Sequence, residues 1–318
     1  MGSSWQHLVY QRDLLLSHAL APNTVITYRT GVNHYFRFCR RFGIRPMPLS
    51  EPVLENFCVS LHWRISAKSI RVYLCGIQLW STLNGGRVLI EHMLRLDYVL
   101  RAIRRVQGNS FARPTRTPIT WPLMRTICAY IANSEPPFDR EMLLAAELLA
   151  FFGLLRVSEY TSPSPTRADQ SGLAVQDVHI DWARRLAFIH IKKSKTDPFR
   201  LGVTIRVGVV AHQLCPVTAL FRYLQLRGLQ PGPLFRYSNG RLLTRINVFE
   251  LLTRSLPHLP NVNTHSFRRG GATALAAAGV SSDVIRIVGR WKSDAYTRYV
   301  QFPDNFFVQA NTHMAKME

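Results

Sequence analysis

The sequence predicts a mainly α chain with one small antiparallel β-sheet, arranged as a helical first domain followed by an α+β second domain. Three observations lead there. Apolar residues recur at helical spacing through most of the first 107 residues. Only residues 178–191 and 203–210 alternate apolar and polar side chains as strands do. Between the two regions, Gln107–Thr120 holds two prolines and a glycine and has no helical period. The expected organisation is therefore a domain over 1–107, a linker over 108–118 and a domain over 119–318, each long enough to bury its own core.

In the first domain, Pro22-Asn23-Thr24 opens a helix whose apolar residues Val25, Tyr28, Val32, Tyr35, Phe36 and Phe38 share roughly one face. Arg37, Arg40, Arg41 and Arg45 lie toward its end and just past it, with Gly43 and Pro46-Met47-Pro48 supplying the stop and the turn. Ser50-Glu51-Pro52 opens a second helix, with Ser50 as N-cap and Pro52 in the first turn. Ser66–Leu83 reads as a third, with Ile70, Tyr73, Leu74, Ile77 and Trp80 inward and Lys68 and Arg71 outward. Leu94–Val106 is a fourth, whose Arg101, Arg104 and Arg105 either lie along a phosphate backbone or simply face solvent. In the second domain, Trp121–Ala132 and Glu141–Leu155 read as helices. Val178–Ile191 and Val203–Val210 are strands around the basic loop Lys192–Arg200. Pro216–Leu226, Ile246–Leu256, Thr264–Ala278 and Ser281–Val288 return to helix, with Thr264 as a candidate N-cap.

Charge narrows the partner. The 318 residues carry 40 Lys+Arg against 19 Asp+Glu, a net charge of +21, and only six of the basic residues are lysine. Arginine's planar fork of donors suits phosphate oxygens better than the point charge of lysine does. Residues 1–118 carry 16 basic and 5 acidic side chains and residues 119–318 carry 24 and 14, so both domains are basic. The expected partner is a nucleic acid. The longest apolar stretch, Met142–Leu155, contains Glu147 and is too short to span a bilayer, and Trp5–Tyr10 runs into charge where a signal peptide would continue apolar. Five cysteines (Cys39, Cys58, Cys75, Cys128, Cys215) form no CxxC pair, which argues for reduced intracellular thiols and against zinc fingers or a disulfide scaffold.

Four short stretches carry the chemistry: GLLRVSEY (153–160), KKSKTDPFR (192–200), THSFRRGG (264–271) and GRWKSDAYTRY (289–299). Each is weak alone; the ordered set answers one problem, displacing an alkoxide from a phosphodiester. Charge building on the non-bridging oxygens calls for two guanidiniums. Arg156 follows a buried run, and His265 and Arg268, three apart, share a face of a helix whose N-terminus adds positive potential. Lys195, in a strand–strand loop, can protonate the leaving 5′ oxygen. Tyr299 supplies a nucleophile whose phenol His265 can help deprotonate. No carboxylate cluster for magnesium is legible, which argues against metal-dependent nucleases. Tyr296 is a second candidate nucleophile, Lys193 competes with Lys195, and Glu159 reads as a partner of the site, not a reactant.

With these residues in place, the sequence resembles the tyrosine recombinases, and its wording is most similar to those of eukaryotic DIRS-like and Crypton mobile elements. NTVITYRTGVNHYFRFCRRFG and SAKSIRVYLCGIQ resemble the family's helical core-binding domain, and 119–318 its catalytic domain. The resemblance implies a clamp around double-stranded DNA, with the family's catalytic residues falling on Arg156, Lys195, His265, Arg268, Trp291 and Tyr299. Trp291 would donate its indole N–H to phosphate where other members use imidazole. Its spacing to Tyr299 is one residue shorter than the family's usual spacing, which counts back to Arg290 instead. It further implies site-specific cleavage and rejoining through a 3′-phosphotyrosine, without metal or small-molecule cofactor, in integration or excision of a mobile element. A dimer to tetramer on DNA and a nuclear location, if the source is eukaryotic, would follow, as would docking of Phe306 and Phe307 into a neighbouring copy. Candidate DNA contacts in the first domain are Arg37, Arg40, Arg41, Lys68, Arg71, Arg101, Arg104 and Arg105. A catalytically silent descendant that only binds DNA and a type IB topoisomerase-like enzyme are the alternatives.

Overall fold

The computed structural model describes residues 4–111, 114–167, 172–194 and 201–298, together with Asp197, Phe199, Val300 and Asn311. Lys195, Tyr299, Phe306 and Phe307 lie outside the described residues. The chain divides into two compact units, Met1–Arg113 and Pro114–Glu318.

The first unit is all helix: α1 (Trp5–Ser17), α2 (Pro22–Phe42), α3 (Glu51–Leu61), α4 (Ala67–Leu83) and α5 (Leu94–Gln107), with a single 3₁₀ turn at Ile90–His92. Its core joins one stripe from each of α2 to α5, with Tyr35, Leu54, Phe57, Ile70, Ile77 and Leu96 buried. Ser66 caps α4, its hydroxyl accepting from the Ser69 N–H at 3.2 Å. Gln107 ends α5, one residue past the expected Leu94–Val106. Its Oε1 accepts from the Ala67 N–H at 2.9 Å and its Nε2 donates to the carbonyls of His62 and Ile65. One buried amide thus satisfies three backbone groups at the α3–α4 corner, which periodicity has no means of showing. Helix α1 was not expected either; it has no buried residue, so it carries no inward stripe to read.

The second unit holds α6 (Trp121–Ser134), α7 (Pro137–Phe152), the one-turn α8 (Val157–Tyr160), β1 (Val178–Asp181), β2 (Leu186–Ile191), β3 (Val203–Gly208), α9 (Pro216–Arg227), α10 (Arg245–Ser255), α11 (Ser266–Ala277) and α12 (Ser282–Val288). The sheet is antiparallel in the order β1-β2-β3, with Val178 opposite Ile189 and Ile191 opposite Val203. Helix α7 is the centre of the core: Met142 to Phe151 is buried on nearly every side, which explains its continuous apolar run. Helix α11 lies close against α7 at Gly271, and against the segment leading into α6 at Gly270, because neither residue has a side chain. A Cβ on Gly270 would stand 1.8 Å from the Ile119 carbonyl oxygen, and one on Gly271 2.4 Å from that of Phe151.

Two expectations are corrected here. Residues 178–191 form two strands, not one, because Arg185 takes a left-handed φ of 57° and the chain reverses there. The N-cap of α11 is His265, not Thr264, whose buried hydroxyl has no hydrogen-bond partner. Among the described residues the five cysteines are free and no helix is long and apolar enough to cross a membrane.

Candidate active site

The site is built on the elbow between α7 and α8. After Phe152 the chain leaves the helix through Gly153 and Leu154, the latter at φ 47°, and re-enters α8 with Arg156 as N-cap. Leu154 and Leu155 are buried, so the elbow is anchored to the core on one side and presents Arg156 on the other. Glu159, three residues on, reaches back to Arg156. Its Oε2 accepts from the Arg156 backbone N–H at 2.9 Å and its Oε1 from Arg156 Nη1 at 2.8 Å. The same Nη1 donates to Ser194 Oγ at 2.8 Å, which brings the residue preceding Lys195 to Arg156.

Arg268 enters from α11 and is 1% exposed. Its Nη1 donates to the Leu154 carbonyl and its Nη2 to the Gly289 carbonyl. Its guanidinium carbon stands 4.3 Å from the ring centroid of Trp291, a cation–π contact within the buried cluster of Leu154, Ala272, Ala276, Ile285 and Trp291. The Trp291 ring fits because residue 289 is glycine: a Cβ there would stand 1.4 Å from the indole Cζ3. The structure thus gives Trp291 a contact that the sequence did not foresee, stacking on Arg268. Tyr296 follows with its ring 6.3 Å from that of Trp291.

A third guanidinium completes the cluster, one that the family's usual spacing singled out without assigning it. Arg290 holds a left-handed φ of 56° and donates from Nη2 to Glu159 Oε2 at 2.7 Å. It also reaches the carbonyls of Gly153 and Leu154 at 3.3 and 3.2 Å. Glu159 is therefore enclosed by two arginines. Burial alone would raise its pKa; the charge of Arg290, then the backbone N–H and charge of Arg156, outweigh that and hold it below the usual carboxylate value.

His265 stands half-buried at the start of α11 with its backbone N–H on Asn263 Oδ1 at 2.9 Å. Burial, reinforced by Arg116, Arg245, Arg268 and Arg156, pushes its imidazole down to about 4, so it is neutral at pH 7. Lys193 is exposed, while Lys192 pairs with Asp177 at 2.7 Å. Among the described residues no group of three or more His, Cys, Asp or Glu side chains is placed to hold a metal ion. The eight candidate residues of the first unit, Arg37, Arg40, Arg41, Lys68, Arg71, Arg101, Arg104 and Arg105, are all exposed on α2, α4 and α5.

Neither a protein-family model nor a curated protein matches the chain. Solved structures do. The Tn1549 transposon integrase (residues 82–397, Y379F) in complex with transposon right end DNA superposes with a TM-score of 0.61 at 15% identity, covering 98% of each chain. The XerH site-specific recombinase bound to a palindromic difH substrate gives 0.62 at 16%, covering 91% of this chain and 79% of that one. A lambda integrase (75–356) dimer bound to a COC′ core site gives 0.57 at 16%, covering 93% and 95%. The chain has the fold of these integrases and recombinases, mainly α with a small three-stranded antiparallel sheet.

Proposed function

We propose that this protein cleaves and rejoins double-stranded DNA through a covalent 3′-phosphotyrosine, as a tyrosine recombinase of a mobile element, DIRS-like or Crypton-like by the wording of its sequence. The observation that carries the reading is the cluster at the α7–α8 elbow, where Arg156, Arg268 and a neutral His265 converge in a fold shared with DNA-bound integrases. Arg156 and Arg268 stabilise the charge that develops on the non-bridging oxygens. Neutral His265 accepts the phenolic proton as Tyr299 attacks, and Lys195, carried on the loop whose Ser194 is held by Arg156, returns a proton to the leaving 5′ oxygen. Attack breaks the bond to the 5′ oxygen and forms the tyrosyl ester, and a 5′ hydroxyl from another strand reverses the step. Because the ester retains the energy of the broken bond, the cycle calls for no nucleotide hydrolysis. The exposed arginines of the first unit contribute phosphate contacts. Assembly into a dimer or tetramer on DNA and work in a nucleus belong to the same reading.

Covalent capture tests it. Wild-type protein is incubated with a pool of nicked duplexes of random sequence, and adducts surviving denaturant are selected and amplified. Tyr299→Phe is expected to abolish adducts on the enriched sequences while leaving affinity nearly unchanged; Tyr296→Phe is expected to retain them. Tight binding without any adduct would sink the catalytic reading and leave a DNA-binding protein. Adducts lost in Tyr296→Phe alone would move the nucleophile by one turn.

A further inference from the structure

We propose that Arg290 is a positioning residue of this site, holding Glu159 on the side opposite Arg156 so that the Arg156 guanidinium is fixed before substrate arrives. The inference rests on the strand-transfer reading for its kinetic consequence, but its structural half stands alone.

Glu159 has two oxygens and both are used: Oε1 by the Arg156 side chain, Oε2 by the Arg156 backbone and by Arg290. The carboxylate is 1% exposed, so water cannot stand in for a missing donor. Removing Arg290 leaves a buried carboxylate with Arg156 as its one cationic partner among the described residues. Arg156 must then neutralise it alone, drawing its guanidinium toward Glu159 and away from an incoming phosphate.

Arg290 itself is committed to this task. Its Nη atoms are spent on Glu159 and on two carbonyls at the C-terminal end of α7, where the helix dipole favours a cation. Its backbone sits at φ 56°, a conformation that costs a non-glycine residue and persists only where the surroundings over-determine it. That turn sends Arg290 toward Glu159 while Trp291, the next residue, covers Arg268. One dipeptide thus supports both arginines, one through a carboxylate and the other through a ring face. Among the described residues the groups that face Glu159 are Arg156 and Arg290, and Arg268 adjoins through the Leu154 carbonyl that it shares with Arg290.

The test uses the full chain with Arg290→Lys, Arg290→Ala, Glu159→Gln and the double variant Arg290→Ala/Glu159→Gln. On a captured substrate, Arg290→Ala is expected to slow single-turnover cleavage by about tenfold to a hundredfold, as a misplaced catalytic group does, with DNA affinity within about threefold. Arg290→Lys, which keeps charge but not the fork, recovers part of the loss. The double variant is expected to be no slower than Glu159→Gln alone, because both changes act on one link. Wild-type cleavage rates in both arginine variants, or losses that multiply in the double variant, would overturn the proposal. A readout independent of catalysis follows the Glu159 carboxyl by ¹³C NMR. It is expected to titrate at higher pH in Arg290→Ala and Arg290→Lys than in wild type, even if wild type never cleaves DNA. An unmoved Glu159 overturns the positioning role; absent adducts with a moved Glu159 overturn the strand-transfer reading instead.

Discussion

The helices of the first unit and the α7–α8 elbow of the second use arginine in opposite ways. On α2, α4 and α5 the guanidiniums are exposed even where they find a carboxylate: Arg71 and Arg101 both reach Asp97, at 2.8 and 2.7 Å, and Arg95 reaches Glu55 at 3.3 Å. At the α7–α8 elbow, Arg156, Arg268 and Arg290 are withdrawn from water and held by Glu159 and by the carbonyls of Gly153, Leu154 and Gly289. An exposed guanidinium is solvated whatever it meets, so its pairing adds little order. A buried one must be provided with acceptors by the fold, and this provision fixes its position before any ligand is present. Exposed charge therefore suits additive attraction to a polyanion, and buried charge suits chemistry at one phosphate.

The largest expected effect breaks the buried side of this contrast. Arg268→Ala takes this donor from the Gly289 carbonyl, leaves the Leu154 carbonyl to Arg290, and removes the cation from the Trp291 ring. It is expected to cost about 3–5 kcal/mol of stability by urea unfolding, as loss of one member of a buried polar set does. The less disruptive Arg268→Lys is expected to lower adduct formation by about a hundredfold or more. If Arg268→Lys reacts like wild type, preorganised acceptors are not what distinguishes the second unit.

An intermediate effect comes from a buried acid on α7. Glu147 is fully buried, and its Oε2 accepts from the Tyr160 hydroxyl at 3.3 Å. Burial pushes its pKa up to about 8, the Tyr160 hydroxyl offsetting only part of the rise from the model-compound value of 4.5. The folded state therefore keeps a proton that the unfolded chain releases. Stability contributed by this group is present below about pH 4.5 and is lost as pH rises toward about 8, with a limiting slope of about 1.4 kcal/mol per pH unit. Glu147→Gln abolishes that slope, so its melting temperature relative to wild type should be higher at pH 8 than at pH 5. An equal difference at both pH values would mean that Glu147 is already ionised in the folded state.

The smallest effects belong to the first unit. Arg104→Ala and Arg105→Ala are each expected to reduce the slope of log affinity against log salt by about one and to leave stability within about 0.5 kcal/mol. A collapse of binding on either single change would mean that a surface arginine is held as firmly as those of the elbow.

Apolar periodicity, with proline and cap residues marking several starts, determined the helices from α2 to α7 and from α9 to α11 to within a few residues, because each buries a stripe whose 3.6-residue repeat is written in the chain. Net charge determined the class of partner to expect, since +21 needs no fold to be counted. Motif order determined that Arg156, His265 and Arg268 should act together. Tertiary structure decided what depends on contacts distant in sequence. The turn at Arg185 splits one alternating run into two strands, and Gln107, at the end of α5, reaches back to the α3–α4 corner. Trp291 was turned onto Arg268, and Arg290 was brought 2.7 Å from a carboxylate 131 residues earlier in the chain. A hydrogen bond of that kind leaves no period behind it: its geometry comes from how α7, α11 and α12 pack, and a one-dimensional pattern records only which face of each helix is apolar.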